Sequence, residues 1–272
     1  MANASIWTCP VCGNLLTETQ KSFICEKRHC FDKAKSGYVN LLPVSRKHAK
    51  LAGDNAEMIR ARRDFLHQNY YQHLQTAICK AIKTYMPENG ILLDAGCGEG
   101  YYTKQICETI SGECYGVDIS KTAADFAART DKISHYAVGS IFHLPVSDQS
   151  CDLLINIFAP YCETEFIRVL KSHAYFIMVI PSTRHLWELK AAVYDHPYEN
   201  QVKDYPLEGF IFQEKISCEK RIILSHSQDI QNLFQMTPYA YRTGTKERER
   251  LQSLQNLEVQ TSFEILIYQK ER

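Results

Sequence analysis

Four cysteines and one histidine within the first 30 residues have the spacing of a metal site. Two residues separate Cys9 from Cys12, and Cys25 follows with His29 and Cys30 close behind it. A structural zinc ion takes four thiolate or imidazole ligands, commonly as two such pairs. The spacing predicts Cys9, Cys12 and Cys25 as three ligands and leaves the fourth open between His29 and Cys30. The alternative, a redox Cys-x-x-Cys pair among unrelated cysteines, does not explain the second pair.

A glycine-rich segment near the middle of the chain has a second chemical pattern. An apolar run ends in Asp94, and three alternating glycines follow, Gly96, Gly98 and Gly100. Glycines let the backbone turn tightly and approach a ligand, and a helix N-terminus favours a negative group. The G-x-G-x-G spacing differs from the G-x-G-x-x-G of dinucleotide-binding loops. We predict that these four residues bind S-adenosylmethionine.

Two further polar residues end the neighbouring apolar runs. Asp118 lies 20 residues after Gly98, close to the spacing at which an acidic residue holds ribose hydroxyls in doubly wound folds. We predict this role for Asp118, and a nicotinamide enzyme is the weaker alternative. Asn156 ends a later run at the edge where substrate should lie. A polar strand end without chemistry explains Asn156 equally well.

The segments around these motifs alternate between strand-like and helix-like patterns. Short apolar runs predict buried strands, and apolar residues at helical spacing lie between them. This alternation indicates a Rossmann-like class I methyltransferase domain, an α/β fold with a doubly wound, mostly parallel sheet. The last strand, residues 263–269, is predicted at a sheet edge. The predicted strands are 91–94, 113–118, 134–138, 151–158, 174–181 and 263–269, and the helices between them are 101–110, 121–129 and 163–170.

Three regions divide the 272 residues. Residues 1–42 are the predicted zinc-binding module, in which the metal supplies folding free energy that so short a segment lacks. Residues 43–86 form a basic connector with helical periodicity from Asp54 to Tyr85. Residues 87–272 form the predicted methyltransferase domain.

Charge and cysteine usage limit the classes of protein. Residues 1–63 hold 11 Lys/Arg and 5 Asp/Glu, a surplus of +6, which suits a polyanionic partner or a solvated surface equally. Arg62 and Arg63 in this part suit phosphate contacts. The 11 cysteines indicate thiols and a metal rather than disulfides. Without a run of roughly 20 apolar residues or a secretory signal, the chain is expected to be cytoplasmic and away from membranes.

These motifs closely resemble the bacterial 23S ribosomal RNA (guanine-N1)-methyltransferase family, the RlmA type, nearly from end to end. The glycine loop is shared by many methyltransferases, whereas the zinc module joined to Gly-Tyr-Val-Asn-Leu-Leu-Pro is much more specific. The matching segments are Cys9–Cys12, Cys25–His29, Phe31–Pro43, Gly53–Met58, Ala61–Leu66, Asp94–Tyr102, Arg184–Lys190 and Gln235–Pro238.

The resemblance implies methylation of N1 of one guanine in a hairpin of domain II of 23S ribosomal RNA. It implies a zinc module that helps to recognise RNA, and a homodimer that forms an RNA-holding cleft. It also implies that His29, rather than Cys30, completes the zinc site. The positions that match contacts to the methyl donor are Tyr71, Gly98, Glu99 and His185.

The catalytic base stays unassigned. Guanine N1 carries a proton that must leave as the methyl bond forms, and a carboxylate or a water molecule would serve. Asp32, Asp54 and Glu57 lie in motifs shared with the family, but the sequence places none of them near the methyl group.

Two other classes of function compete with RNA methylation. A methyltransferase for a small metabolite would use the zinc only for stability, and the basic N-terminal part argues against it. A non-enzymatic RNA-binding protein with a vestigial domain would not need the intact loop from Asp94 to Gly100 or Asp118.

Overall fold

The computed structural model describes residues 4–43, 55–202, 205–241 and 243–272. Asp54, where the predicted helical stretch begins, lies outside these ranges, as does Gly53. The first strands form a four-stranded antiparallel sheet in the order β1-β2-β3-β4. Their bounds are β1 Ala4–Thr8, β2 Leu15–Glu18, β3 Ser22–Cys25 and β4 Cys30–Asp32.

The remaining strands form one eight-stranded sheet that carries helices along its length. The strands are β5 Val39–Asn40, β6 Ile91–Ala95, β7 Glu113–Asp118, β8 His135–Val138, β9 Cys151–Ile157, β10 Leu170–Pro181, β11 Phe210–Leu224 and β12 Leu257–Lys270. The helices are α1 Ala56–Leu66, α2 Gln72–Tyr85, α3 Tyr101–Cys107, α4 Lys121–Thr130, α5 Glu163–Val169, α6 Trp187–Val193, α7 Ser227–Gln235 and α8 Thr245–Ser253, with a 3₁₀ turn at Pro238–Tyr241.

The strand order of the large sheet is β11-β12-β10-β9-β6-β7-β8-β5. The six strands from β10 to β5 in this order are parallel, and β12 runs antiparallel to both β10 and β11. From β6 the chain winds outward through β7 and β8, and it then returns to β9 on the other side. Ligands of open α/β sheets bind at such a reversal, outside the carboxyl ends of the strands. The predicted doubly wound, mostly parallel fold is confirmed.

The N-terminal sheet packs directly against the β8 side of the large sheet. Trp7 is 1% exposed and meets the Tyr115 ring edge-on at 5.2 Å between centroids. The Thr8 N–H donates to the Pro145 carbonyl at 2.9 Å. Residues 39–40, which the sequence places in the zinc-binding module, form β5 and pair with β8. One hydrophobic core therefore includes residues of both sheets.

Two differences from the sequence prediction change the order of the sheet and the course of the connector. The strand predicted at an edge, β12, lies inside the sheet, because the unpredicted β11 pairs along its whole length. The continuous helical pattern is interrupted between α1 and α2, where Asn69 takes a left-handed conformation with φ 61°. Asn tolerates this conformation better than most residues and often ends a helix. None of the helices in the described ranges is both long and apolar enough to cross a membrane.

Candidate metal centre and cofactor site

Four ligand atoms converge between the two hairpins of the N-terminal sheet. The thiols of Cys9, Cys12 and Cys25 and a ring nitrogen of His29 all lie within 4.8 Å of one another. His29 Nδ1 is 3.4 Å from both Cys9 Sγ and Cys25 Sγ, and Cys12 Sγ is 3.7 Å from Cys25 Sγ. Cys30, the other candidate from spacing, is exposed on β4 and is not part of this cluster.

Two tight turns hold these ligands. After Cys9, the Gly13 N–H donates to the Cys9 carbonyl at 2.8 Å, and Gly13 has φ 75°. After Cys25, the Arg28 N–H donates to the Cys25 carbonyl at 2.8 Å, and Arg28 has φ 63°. Each turn closes through a left-handed residue, so both ligand pairs point to the same space.

The donor set and its spacing fit zinc. Tetrahedral zinc with Zn–S near 2.3 Å and Zn–N near 2.0 Å requires S···S separations of about 3.8 Å and S···N separations of about 3.5 Å. The separations of 3.7 and 3.4 Å agree with these values. Four protein ligands leave no open coordination position, which is the arrangement of a structural rather than a catalytic zinc site.

The glycine loop follows β6 at the reversal point of the large sheet. Gly96, Gly98 and Gly100 all have positive φ, at 94°, 56° and 81°. A Cβ at Gly96 would lie 2.5 Å from the Ala159 Cβ, and one at Gly100 would lie 2.9 Å from the Ala127 Cβ. Both the backbone conformation and the space therefore require glycine. The loop ends where α3 begins at Tyr101.

Asp94 lies beneath this loop and is 1% exposed. Its Oδ2 accepts a hydrogen bond of 2.6 Å from the Thr103 hydroxyl, while its Oδ1 finds no hydrogen-bond partner among the described residues. Burial raises the pKa of the Asp94 carboxyl to about 7, and the charges of Asp118 and Glu99 add to the rise. An orphaned carboxylate oxygen at this place fits a ligand that donates hydrogen bonds or carries positive charge.

Asp118 connects the glycine loop to the end of β7. The Gly98 N–H donates to Asp118 Oδ2 at 2.9 Å, and the Ser120 N–H donates to Asp118 Oδ1 at 2.7 Å. Ser120 also caps α4 through its hydroxyl. These two backbone bonds fix the carboxylate at the carboxyl edge of the sheet, beside the loop. A carboxylate held in this way can accept both hydroxyl protons of a ribose.

Tyr71 and His185 lie in an aromatic cluster around Phe263, away from solvent. The Tyr71 and His185 rings are 6.4 Å apart, and Phe263 lies 5.0 and 4.5 Å from them, respectively. His185 Nδ1 accepts the Ser262 N–H at 3.1 Å, so the proton of the neutral ring is on Nε2. Burial, followed by the charge of Lys190, lowers the pKa of His185 to about 3.

Unpaired hydroxyls mark the same region. Within the described residues, the buried Tyr71, Tyr101 and Tyr102 hydroxyl oxygens find no hydrogen-bond partner. Burial raises the pKa of Tyr102, and the neighbouring Tyr71, Tyr101 and Glu99 add to the rise. Glu99 itself is 7% exposed. The structure thus brings the predicted residues of the cofactor site into one region beside the loop, and the orphaned polar atoms there fit a polar organic ligand.

Helix α1 adds positive charge to this region. A Cβ at Gly98 would lie 3.9 Å from Arg62 Nη1. Arg63 forms an ion pair of 2.7 Å with Asp64 and lies over the Phe126 ring at 5.0 Å. In the sequence the two arginines are equivalent, because charge alone does not distinguish adjacent residues. Their positions on different faces of α1 show that Arg62 faces the glycine loop.

The base candidates do not gather at this site. Asp32 lies on β4 of the N-terminal sheet, and Glu57 lies in the first turn of α1, and both are exposed. Asp54 lies outside the described residues. The catalytic base stays unassigned.

Three curated relatives show what the chain is similar to. YxjB of Bacillus subtilis, assigned as a 23S rRNA (guanine-N1)-methyltransferase, is 29% identical over 98% of this chain and 98% of its own length. A protein of Micromonospora griseorubida assigned to the same activity is 32% identical over 66% of this chain and 67% of its own length. The 23S rRNA (guanine(748)-N(1))-methyltransferase of Streptomyces fradiae is 32% identical over 68% of this chain and 66% of its own length.

Family models match both parts of the chain. Residues 7–50 match a zinc ribbon described as "RlmA, N-terminal", and residues 93–178 match a methyltransferase domain. With the acidic residue and glycine loop at the reversal point of the sheet, these matches define an S-adenosylmethionine-dependent methyltransferase of the class I fold that carries a zinc ribbon. The chain belongs to the family of 23S rRNA (guanine-N1)-methyltransferases. The predicted cofactors, S-adenosylmethionine and zinc, are confirmed at this level.

Proposed function

We propose that this protein transfers a methyl group from S-adenosylmethionine to N1 of a guanine in a hairpin loop of 23S ribosomal RNA. The observation that carries the proposal is the joining of a zinc ribbon to a methyltransferase sheet in one chain, which YxjB matches over 98% of both lengths. The glycine loop alone would suit many acceptors. The ribbon distinguishes this family from general methyltransferases.

In the proposed complex, the ribose and the methionine part of the cofactor have matching residues. Asp118 accepts the ribose hydroxyls, and the orphaned Oδ1 of Asp94 accepts from the ammonium group. Arg62 brings positive charge that suits the carboxylate. The remaining contacts come from the loop and its surroundings, namely Gly96, Gly98, Glu99, Gly100, Tyr71 and His185. In the ribbon, Cys9, Cys12, Cys25 and His29 hold the zinc ion.

When bound, the sulfonium compound supplies an activated methyl group, so the protein must mainly orient the acceptor and accept its proton. His185 is neutral at physiological pH and, with a pKa of about 3, is too weak a base to take the N1 proton. Its Nε2–H is instead a hydrogen-bond donor beside Tyr71. We infer that His185 orients the cofactor and does not move a proton.

The partners and location implied by the resemblance stay predictions. We propose that the protein works on RNA as a homodimer in the cytoplasm, with the basic N-terminal part against the phosphates. Residues 1–63 carry the surplus of +6, and counterion release would make binding weaker at higher salt.

The proposal is tested with purified protein, S-adenosylmethionine and 23S ribosomal RNA transcribed in vitro. The expected product is one methylated guanine, and because N1 methylation blocks base pairing, reverse transcription stops there. We expect Asp118→Ala to raise the Kd for S-adenosylmethionine by about 100-fold, since two charge-assisted hydrogen bonds are lost. RNA affinity should not change.

Two variants control for the indirect effects of this change. Asp118→Asn keeps one acceptor oxygen, so it retains one of the two backbone bonds that position Gly98 and Ser120. Its Kd for S-adenosylmethionine should therefore lie between those of the wild type and Asp118→Ala. Glu108→Ala, an exposed acid at the end of α3, should behave as the wild type. Methylation of small acceptors without methylation of RNA would exclude the proposed substrate.

A further inference from the structure

An exposed aromatic side chain follows directly after β9, at the carboxyl edge of the sheet beside the glycine loop. Phe158 is 45% exposed, although it lies between strand residues that are almost fully buried and the turn that contacts Gly96. Its backbone has φ 54°, a left-handed conformation that a bulky residue rarely adopts. Such strain persists where the surrounding structure fixes it, and it is concentrated at functional sites.

The neighbouring residues fix this conformation through hydrogen bonds. The Phe158 N–H donates to the Val179 carbonyl of β10 at 3.1 Å. Asn156 is 1% exposed, and its Nδ2 donates to the carbonyls of Ala95 at 2.9 Å and Pro160 at 3.2 Å. Asn156 thereby joins the end of β6 to the turn that carries Phe158. Its polar side chain is used to position this turn.

The Phe158 ring rests on the aromatic cluster described above. Its centroid lies 5.4 Å from that of Phe263, which is 1% exposed and packs against both Tyr71 and His185. The ring therefore has a rigid apolar support on one side, and nearly half of the side chain remains open to solvent. A rigid, exposed aromatic ring is the surface on which single-stranded nucleic-acid bases stack.

We propose that Phe158 is the stacking platform for the guanine that receives the methyl group. The inference rests on the proposed function and makes it specific: the acceptor is a planar base turned out of its hairpin, placed against Phe158 beside the glycine loop. Exposure of an apolar ring to water is unfavourable in free energy, and covering one face with a base removes part of that unfavourable exposure. Phe158 is then a substrate-binding residue, and Asn156 positions it.

The test compares variants that keep or remove the ring. Phe158→Tyr keeps a ring of the same shape and should retain activity within about threefold of wild type. Phe158→Leu keeps an apolar side chain without a flat face, and kcat/KM for 23S ribosomal RNA should fall about 10- to 100-fold, the range that loss of one base–aromatic stack gives. The Kd for S-adenosylmethionine should stay within about twofold in both.

Two further variants separate stacking from folding. Phe158→Gly removes the ring and relieves the left-handed strain, so it should unfold at the same or a higher temperature than wild type while losing activity as Phe158→Leu does. Phe212→Leu replaces a similarly exposed phenylalanine, 40% exposed on the distant strand β11, and should leave activity unchanged.

The outcomes distinguish this inference from the proposed function. If the wild type methylates no 23S ribosomal RNA, both are overturned. If the wild type is active and Phe158→Leu or Phe158→Gly is equally active, only the stacking role is overturned. A loss of activity matched by an equal loss of S-adenosylmethionine affinity would also overturn it, because Phe158 would then support the cofactor.

Discussion

The zinc ribbon and the glycine-loop edge of the large sheet both use left-handed turns, but they differ in what the turns leave open. In the ribbon, Gly13 and Arg28 close two turns whose ligand atoms all point at one another. At the glycine loop, buried polar atoms such as Asp94 Oδ1 and the Tyr71 hydroxyl find no partner among the described residues. The first region is complete with a single ion, whereas the second requires a larger polar ligand.

This difference predicts how each region responds to change. A closed metal centre should fail as a unit when one ligand is lost, since the zinc supplies folding free energy. At an open site built on buried ionisable groups, stability and ligand affinity should instead change gradually, in particular with pH.

The largest effect is expected from Cys25→Ser. Loss of one thiolate should remove the zinc, and with it a contribution on the order of 10 kcal/mol to folding of the ribbon. Elemental analysis should find one zinc per chain in the wild type and none in the variant, with rapid proteolysis of the N-terminal part. Cys30→Ser is the matched control, because Cys30 is exposed near His29 and outside the cluster. Zinc lost from Cys30→Ser and kept in Cys25→Ser would reverse the ligand assignment.

A smaller effect on stability is expected from His185, which is buried in the aromatic cluster around Phe263. The pKa of His185 is lowered to about 3 in the folded state. The contribution of the neutral ring to the free energy of unfolding is therefore fully present above the ordinary pKa of 6.5 and is lost as the pH falls toward 3. At pH 5 the unfolded chain binds a proton that the folded chain does not, which costs about 2 kcal/mol.

Urea unfolding at pH 7.5 and pH 5 measures this cost. His185→Gln should be less stable than wild type at pH 7.5, but its stability should fall by about 2 kcal/mol less between the two pH values. An equal fall in the free energy of unfolding of both proteins would mean that the pKa of His185 is not lowered, so that the folded protein takes up the proton at pH 5 as the unfolded chain does.

The smallest effect concerns Asp94, whose pKa of about 7 means that it is half protonated in the free protein near neutral pH. If its carboxylate holds the ammonium group, the cofactor binds the ionised form. The Kd for S-adenosylmethionine should then rise about tenfold from pH 8 to pH 6.

Calorimetry at several pH values checks this, with Asp94→Asn as the control. The ratio of the Kd values of variant and wild type removes the titration of the cofactor itself. That ratio should be large at pH 8 and shrink toward pH 6. A ratio that does not depend on pH would exclude Asp94 as the titrating contact.

The central strands and the two chemical motifs could be predicted from the sequence because their signals are local. Residues 91–94 and 113–118 are short, largely apolar segments ending in an aspartate, and the structure has strands there. Alternating glycines after Asp94 predicted a tight loop, and all three have positive φ. The choice of His29 over Cys30 came only with the family resemblance, and in the structure His29 is the residue in the cluster.

Other features could not be predicted because they depend on distant contacts. Strand β11 is exposed on most of its residues and lacks the apolar alternation that marks a strand. Its pairing with β12 places β12 inside the sheet. The left-handed conformation of Phe158 is held by contacts with β6, through Asn156, and with β10, and nothing local in the sequence signals it. Asn69, by contrast, was a usable local signal for the break between α1 and α2.

The short strand β5 has a consequence for how a long RNA could be held. Val39 and Asn40 extend the large sheet, and the Leu41 N–H donates to the Val138 carbonyl at 2.9 Å. The ribbon is therefore joined to the large sheet and is not a separate domain on a flexible linker. The span between the ribbon and Phe158 is set by the sheet, so an RNA that touches both must present its two contact points at that one separation.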